Sequence, residues 1–264
     1  MTQTIHPTAI IDDGATIGEN VSIGPYSIVG SNVTLGNNVK LHAHVVVAGH
    51  TSVGSGTEIF PFAAIGTAPQ DLKYSGEPSR LIIGENNKIR EHVTMHPGTQ
   101  SDAMETRIGD NGLFMVGVHV AHDCVIGNNV IMANNATLGG HVHVGQYSVI
   151  GGLAAVHQFI RIGEYAMIGG MSGVESDVIP FGRVKGERAS LAGLNLVGID
   201  RQNYSKEDTR NLQKAFKTLF YGDGTFNERL ERVEAAFPDN DNVKAIVEFS
   251  RNKDRFPICQ PSTK

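Results

Sequence analysis

From Ile5 onward an aliphatic residue recurs at every sixth position: Ile11, Ile17, Ile23, Val29, Leu35, Leu41, Val47, Val53, Ile59 and Ile65. The ladder resumes at Ile83, Ile89 and Met95. It then runs from Ile108 through Phe114, Val120, Ile126, Met132, Leu138, Val144, Ile150, Val156, Ile162, Ile168 and Val174 to Pro180. Two residues before many of these anchors stands a small or β-branched residue, such as Ala15, Val21, Ser27 and Val33, and glycine often follows directly, as at Gly18, Gly24 and Gly36. A period of six matches neither the helical 3.6 nor the simple alternation of a free strand. It predicts a short strand with its anchor facing inward, followed by a tight corner in which glycine takes the corner conformation. Three such units close a triangular coil of 18 residues, and successive coils stack at the ordinary inter-strand distance of about 4.8 Å. The predicted architecture is a parallel β-helix.

Two segments break the ladder, at about 66–82 and 97–107. In a solenoid such insertions become loops thrown out from a corner, commonly beside a binding surface. After Pro180 the period is lost. Arg183 to Asn203 reads as irregular connection, and the pattern then turns helical. Ser205 with Asp208 forms a predicted capping box ahead of an apolar stripe at Leu212, Ala215, Phe216, Leu219 and Phe220. Thr225 with Glu228 opens a second helix carrying Leu230, Val233 and Phe237, and Val243 to Phe249 suggests a third. The division expected is a β-helix over 1–190 and a C-terminal α-helical domain over 191–264, the latter closing the exposed end of the solenoid.

The 264 residues include 31 glycines and no tryptophan, a balance that suits a turn-rich β architecture. A net charge of −5 argues against nucleic acid as the main partner. Two cysteines, Cys124 and Cys259, are too few for a disulfide framework and point to a reducing compartment. No basic segment followed by an apolar run opens the chain, and no run of 18 apolar residues occurs, so the expectation is a cytoplasmic protein without stable membrane insertion.

Positions 18 apart stack, so Met95 (allowing for the second insertion), Val120, Leu138 and Val156 form one inward column. Just beyond these anchors lie His96, His122, His141 and His157, with Gly140 and Gln158 in the column of His122. Four histidines on one edge, beside the insertions, make a site. Asp123 follows His122 and can fix its tautomer, as an orienting carboxylate does for a general base. Gly140, lacking a side chain, leaves an open pocket and offers a backbone N–H to an oxyanion. His119, on the strand before Val120, takes a binding role. Cys124 is expected to face into the solenoid.

The repeat resembles that of the hexapeptide-repeat acyltransferases, whose coils are left-handed. His119-Val-Ala-His122-Asp123-Cys124, Gln70-Asp71-Leu72-Lys73-Tyr74 and Gly152-Leu-Ala-Ala-Val-His157-Gln158-Phe159 together resemble the UDP-N-acetylglucosamine O-acyltransferase family over essentially the whole chain. The resemblance implies transfer of a 3-hydroxyacyl group from acyl carrier protein to the 3-hydroxyl of UDP-N-acetylglucosamine at the start of lipid A synthesis. It gives His122 as base, Asp123 as its partner and Gly140 as oxyanion donor. The sugar-nucleotide pocket would be lined by Gln70, Asp71, Lys73, His96, His119, His141 and Gln158, assisted by His157, with Asn195 and Arg201 on the nucleotide. It further implies a homotrimer with sites between solenoids, and no cofactor or metal beyond the thioester substrate. Gly152 and Gly170, also 18 apart, would form a slot for an acyl chain longer than ten carbons. Val197 and Gln202 stand where the family commonly carries glutamate and a second arginine, which bears on nucleotide or sugar recognition.

Four other readings compete. A related N-acyltransferase carries a domain ahead of its solenoid, whereas here the repeat begins at Ile5. An acetyl-CoA-dependent enzyme has no use for an acyl slot. A zinc hydratase of this fold would bind metal through histidines. A purely structural solenoid leaves the histidine cluster unexplained. A row of exposed-face cations, Lys206, Arg210, Lys214 and Lys217, offers an acidic carrier protein a docking surface.

Overall fold

The computed structural model describes residues 4–252 and 254–262. Its repeat folds into three parallel sheets forming the walls of a prism, of eleven, nine and eight strands. Sheet one begins with Thr4–Ile5, sheet two with Ile10–Ile11 and sheet three with Thr16–Ile17. Each wall receives every third strand, so Met95 pairs with Val120, Val120 with Leu138, and Leu138 with Val156 along sheet two. The hand of the coil is left.

Inside the prism the anchors are joined by the residues two before them: Val21, Ser27, Val33, Val39 and Val45 are each at most 1% exposed. Fully burying a Val, Leu or Ile side chain contributes about 1.5–3 kcal/mol, and the core repeats that contribution coil after coil. The corners work differently from the expectation. Apart from Gly66 (φ 75°), which follows Ile65 at the start of the first insertion, glycines directly after the anchors do not adopt left-handed backbone. They are needed because a Cβ there would meet the next coil, 2.7 Å from the His42 carbonyl carbon at Gly24 and 2.3 Å from the Glu164 nitrogen at Gly145. The left-handed position lies three residues after the anchor and is filled mostly by other residues, among them Asn38 (φ 60°), Asp123 (φ 58°), His141 (φ 61°) and Phe159 (φ 65°). Left-handed backbone costs an L-residue roughly 1–2 kcal/mol. What it achieves is to aim the amide at the coil below: His141 N–H donates to the His122 carbonyl (3.0 Å), and Phe159 N–H to that of Gly140 (2.9 Å).

Both insertions leave the edge between sheets two and three. They are shorter than the ladder suggested, because Arg80–Ile83 and Glu105–Ile108 are four-residue strands that pair with each other, Arg80–Ile83 pairing also with His50–Val53. At the far end the period shortens by two residues: Ile162 bridges Val178, so Pro180 is not an anchor, and Ile168 pairs with Val184. The stretch expected to be irregular instead contains a hairpin, Gly182–Lys185 antiparallel to Ser190–Leu194, which ends sheet one.

Helices α1 (Leu196–Arg201), α2 (Lys206–Tyr221), α3 (Phe226–Ala236) and α4 (Asp241–Arg251) follow. Thr225 and Glu228 make a full capping box on α3. On α2 only half of the box forms: Ser205 accepts from the Asp208 amide, but the Asp208 carboxylate takes the Ser205 hydroxyl rather than its N–H. Phe237 is the C-cap of α3, not a member of its stripe. The apolar face of α2 buries Leu212, Ala215, Leu219 and Phe220 and leaves Lys206, Arg210, Lys214 and Lys217 exposed. Sheet two differs from its neighbours on the outside. Its outward positions are Ile10, Ile28, Val46, Ala64, Thr94, His119, Thr137, Ala155 and Gly173, none of them charged, whereas sheet one turns out Lys40, Glu58 and Lys88.

Candidate active site

The edge between sheets two and three carries three columns of corner residues. His122, Gly140 and Gln158 stack in one; Asp123, His141 and Phe159 in the next; His96 and His157 follow their anchors directly. The position of His122 is set by its neighbours. Its Nδ1 lies 2.9 Å from Asp123 Oδ2. Asp123 is 3% exposed and is held by the second insertion: the Thr99 N–H donates to both carboxylate oxygens (2.9 and 3.1 Å) and the Thr99 hydroxyl to Oδ2 (2.6 Å). Burial works to raise the Asp123 pKa, but the hydrogen bonds from His122 and Thr99 outweigh it and the net shift is downward. An ionised Asp123 accepts only, so His122 Nδ1 must donate to it. Nε2 is left as the basic atom. Because the folded pKa is depressed, the carboxylate stabilises the fold above its ordinary value of about 3.9, and that contribution is lost as pH falls through the lowered value.

Gly140 does not leave open space, as its lack of a side chain suggested. The His122 ring packs over it: a Cβ on Gly140 would lie 2.5 Å from His122 Cε1 and 2.7 Å from Nε2. Gly140 is buried, and among the described residues no acceptor stands opposite its N–H. His141 meets His122 edge-on at 5.1 Å, stacks flat on Phe159 at 4.2 Å, and has its Nδ1 2.8 Å from Asp102 Oδ2. His122, Asp123 and His141 present ligand atoms within 4.8 Å of one another, a spacing that a metal ion could use. Here His122 Nδ1, His141 Nδ1 and the Asp123 oxygens are all engaged in the bonds just given.

A cleft of about 700 Å³ opens over this edge, lined by Asp71, Lys73, His122, His141 and Gln158 from the predicted set. The first insertion and the histidine edge therefore meet within one chain. Gln70 is exposed on the same loop but does not line the cleft. His96 is 3% exposed, and its Nδ1 has no partner among the described residues. Burial chiefly, with His119 and His122 nearby, pushes its pKa down to about 4, so it is neutral in the folded protein. His119 is shifted the same way by burial and His122; its Nδ1 lies 2.7 Å from the Thr94 hydroxyl and its ring 5.0 Å from that of His96. His157 turns outward, with Nδ1 3.0 Å from the Gln158 carbonyl and Phe256 5.3 Å away. Cys124 faces the core, where burial pushes its thiol up to about 12.

The remaining predicted residues lie elsewhere on this chain. Gly152 and Gly170 do stack, a Cβ on Gly170 falling 3.2 Å from the Gly152 carbonyl oxygen, but on the edge between sheets one and two. Asn195 and Arg201 belong to the third edge. Asn195 is buried and engaged at both ends, donating to the Tyr165 carbonyl (2.9 Å) and accepting from Gly198 N–H (3.1 Å) as the cap of α1. Arg201 is exposed at the last turn of that helix. Thr99, Asp102, Ser101, His143, Phe159, Arg161, Asp254 and Arg255 also build or brace the site without having been anticipated from sequence. Only His143 and Phe159 carried a signal, as an outward strand position and as the left-handed corner above His141.

The chain matches a family described as "Udp N-acetylglucosamine O-acyltransferase; Domain 2" over residues 177–259, and "Bacterial transferase hexapeptide (six repeats)" over 4–37, 14–49 and 105–140. It is 49% identical over 246 residues to the protein of Aliarcobacter butzleri (strain RM4018) named Acyl-[acyl-carrier-protein]--UDP-N-acetylglucosamine O-acyltransferase, covering 93% of both chains. A protein of the same name from Paracoccus denitrificans (strain Pd 1222) is 49% identical over 191 residues, 72% of each. The solved structure of UDP-N-acetylglucosamine acyltransferase from Campylobacter jejuni superposes with a TM-score of 0.93 at 40% identity, covering 98% of this chain and all (100%) of that one.

Proposed function

The chain belongs to the UDP-N-acetylglucosamine O-acyltransferases, and on that premise we propose that it transfers a 3-hydroxyacyl group from acyl carrier protein to the 3-hydroxyl of UDP-N-acetylglucosamine, at the start of lipid A biosynthesis. The observation that carries the reading is the seating of His122 between Asp123 and Gly140 at the floor of a cleft. His122 Nε2 takes the proton of the sugar hydroxyl as its oxygen attacks the thioester carbonyl. The Gly140 N–H stabilises the oxyanion, and the carrier's thiol leaves with a proton returned from the imidazolium. Asp123 keeps the imidazole in the reactive tautomer. Asp71, Lys73, His96, His119, His141 and Gln158, with Gln70 and His157 beside them, hold the sugar nucleotide. The thioester is a substrate, and the reaction calls for no metal or other cofactor.

The working unit is a homotrimer with neighbouring solenoids meeting at sheet two. Two features support this. Sheet two is the wall without outward charge. It also lies between the edge bearing the histidines and the edge bearing Gly152 and Gly170, so a neighbour can bring its glycine edge to the histidines of the first chain. Among the described residues no helix is long and apolar enough to cross a membrane, in keeping with a cytoplasmic enzyme.

The reading is tested by incubating the protein with UDP-N-acetylglucosamine and carriers bearing hydroxyacyl chains of graded length, then weighing the products. An O-acylated sugar nucleotide carrying a chain longer than ten carbons is expected, and its absence refutes the assignment. Gly170→Met places a side chain in the slot without requiring left-handed backbone. Since one coil rise of about 4.8 Å spans roughly four methylenes, the preferred chain should shorten by several carbons; an unchanged preference removes the slot.

The exposed cations of α2 supply the surface for the acidic carrier. Reversing two of them, Arg210→Glu with Lys214→Glu, should raise KM for the acyl carrier about tenfold at low salt and leave KM for the sugar nucleotide unchanged. The difference should close as ionic strength rises. Equal effects on both substrates would mean the row has another role.

A further inference from the structure

We propose that Arg255, delivered by the segment after α4, is a phosphate-binding residue of the cleft; the inference extends the acyl-transfer reading to a part of the chain that reading does not use. After α4 the chain turns back along the solenoid and is tied to it from several sides. The Asp177 N–H donates to the Pro257 carbonyl (2.9 Å), and the Cys259 N–H to that of Asp177 (2.8 Å). Leu191 N–H donates to the Gln260 carbonyl (2.9 Å), which joins the strap to the terminal hairpin. The Asp177 carboxylate, fully buried, is engaged separately by the backbone and guanidinium of Arg161.

The consequence falls on the column above His141. Arg255 places its guanidinium over the Phe159 ring, 3.7 Å from the centroid, and Phe159 in turn stacks on His141. The strap thus extends the corner column by one layer and brings a cation to the wall of the cleft that contains His122. Arg161, the neighbouring cation, is spent on Asp177. Arg255 has no carboxylate or carbonyl acceptor among the described residues, and neither does the Lys73 ammonium across the same cleft. A guanidinium held by its face against an aromatic ring keeps its N–H edge free, and that edge matches two oxygens of a phosphate.

Two substrates bring phosphate to this place, the diphosphate of the sugar nucleotide and the phosphodiester of the carrier's pantetheine arm. Binding of UDP, uridine and 4′-phosphopantetheine to the full-length protein and to Arg255→Ala, followed by calorimetry, separates them. A charged hydrogen bond at a partly exposed site predicts an affinity loss of about tenfold. Loss for UDP with uridine unchanged assigns Arg255 to the nucleotide; loss for phosphopantetheine with UDP unchanged assigns it to the carrier. Arg255→Lys should recover part of either loss, and the gap between wild type and Arg255→Ala should narrow in high salt. If the affinities of UDP and phosphopantetheine are both unchanged, or if uridine weakens as much as UDP, Arg255 only packs the strap and the proposal is wrong. These titrations do not depend on turnover, so a wild-type protein that makes no acyl sugar would refute the acyl-transfer reading on its own.

Discussion

His122→Ala loses about 10²–10⁴-fold in kcat, the range typical of a positioned general base, while the protein stays folded. The second half of that expectation follows from the partners of Asp123. When the imidazole is removed, the carboxylate keeps three hydrogen bonds from Thr99 and is not left as an unpaired buried charge. A matched thermal midpoint and circular dichroism spectrum would therefore accompany the loss of turnover. His122→Asn sharpens the test, since an amide can still donate to Asp123 but has no basic atom. It should be as inactive as alanine. If either variant retained near-normal kcat, the base would have to be another group, and His141 would be the first to examine.

Gly140→Ala should cost about 10²-fold in kcat by a different route. The added methyl cannot coexist with the imidazole in its present place, 2.5 Å from Cε1. The ring must swing out, and its bond to Asp123 breaks with the movement. The alanine variant still carries the N–H at this position, so loss of the donor is not the primary defect. A double-mutant cycle separates seating from donation. If Gly140 acts by seating His122, the double variant His122→Ala, Gly140→Ala is no worse than His122→Ala alone, because the group that the methyl displaces is already gone. Full additivity of the two losses would contradict that account.

The periodic part of this site was readable from sequence, and the aperiodic part was not. A six-residue phase is sufficient to put Val120, Leu138 and Val156 in one column, and hence to bring His122, Gly140 and Gln158 to one edge. The left-handed coil itself rests on resemblance, now matched by the solved relatives. Thr99, Asp102 and Arg255 have no phase. They reach the edge from loops whose paths depend on single hydrogen bonds, such as Asp102 to His141 across 39 residues of sequence. The glycines misled for a related reason. Sequence shows that a residue without Cβ is required, but two different causes, a left-handed φ and a crowding neighbour, demand it equally. At Gly24 and at Gly140 the cause is crowding, by a backbone carbonyl in one and by an imidazole in the other.

The uniform register of the walls has a bearing on how such a chain reaches its native state. Outside the insertions and the shortened last coil each strand pairs with partners 18 residues before and after it, so the sequence distance between contacts does not grow with the length of the molecule. Order can spread from coil to coil as along a one-dimensional lattice. A coil leaving the ribosome needs only its predecessor as a template. The costly closures are the two places where Arg80 finds His50 and Glu105 finds Arg80 across the inserted loops, and folding intermediates should pause there.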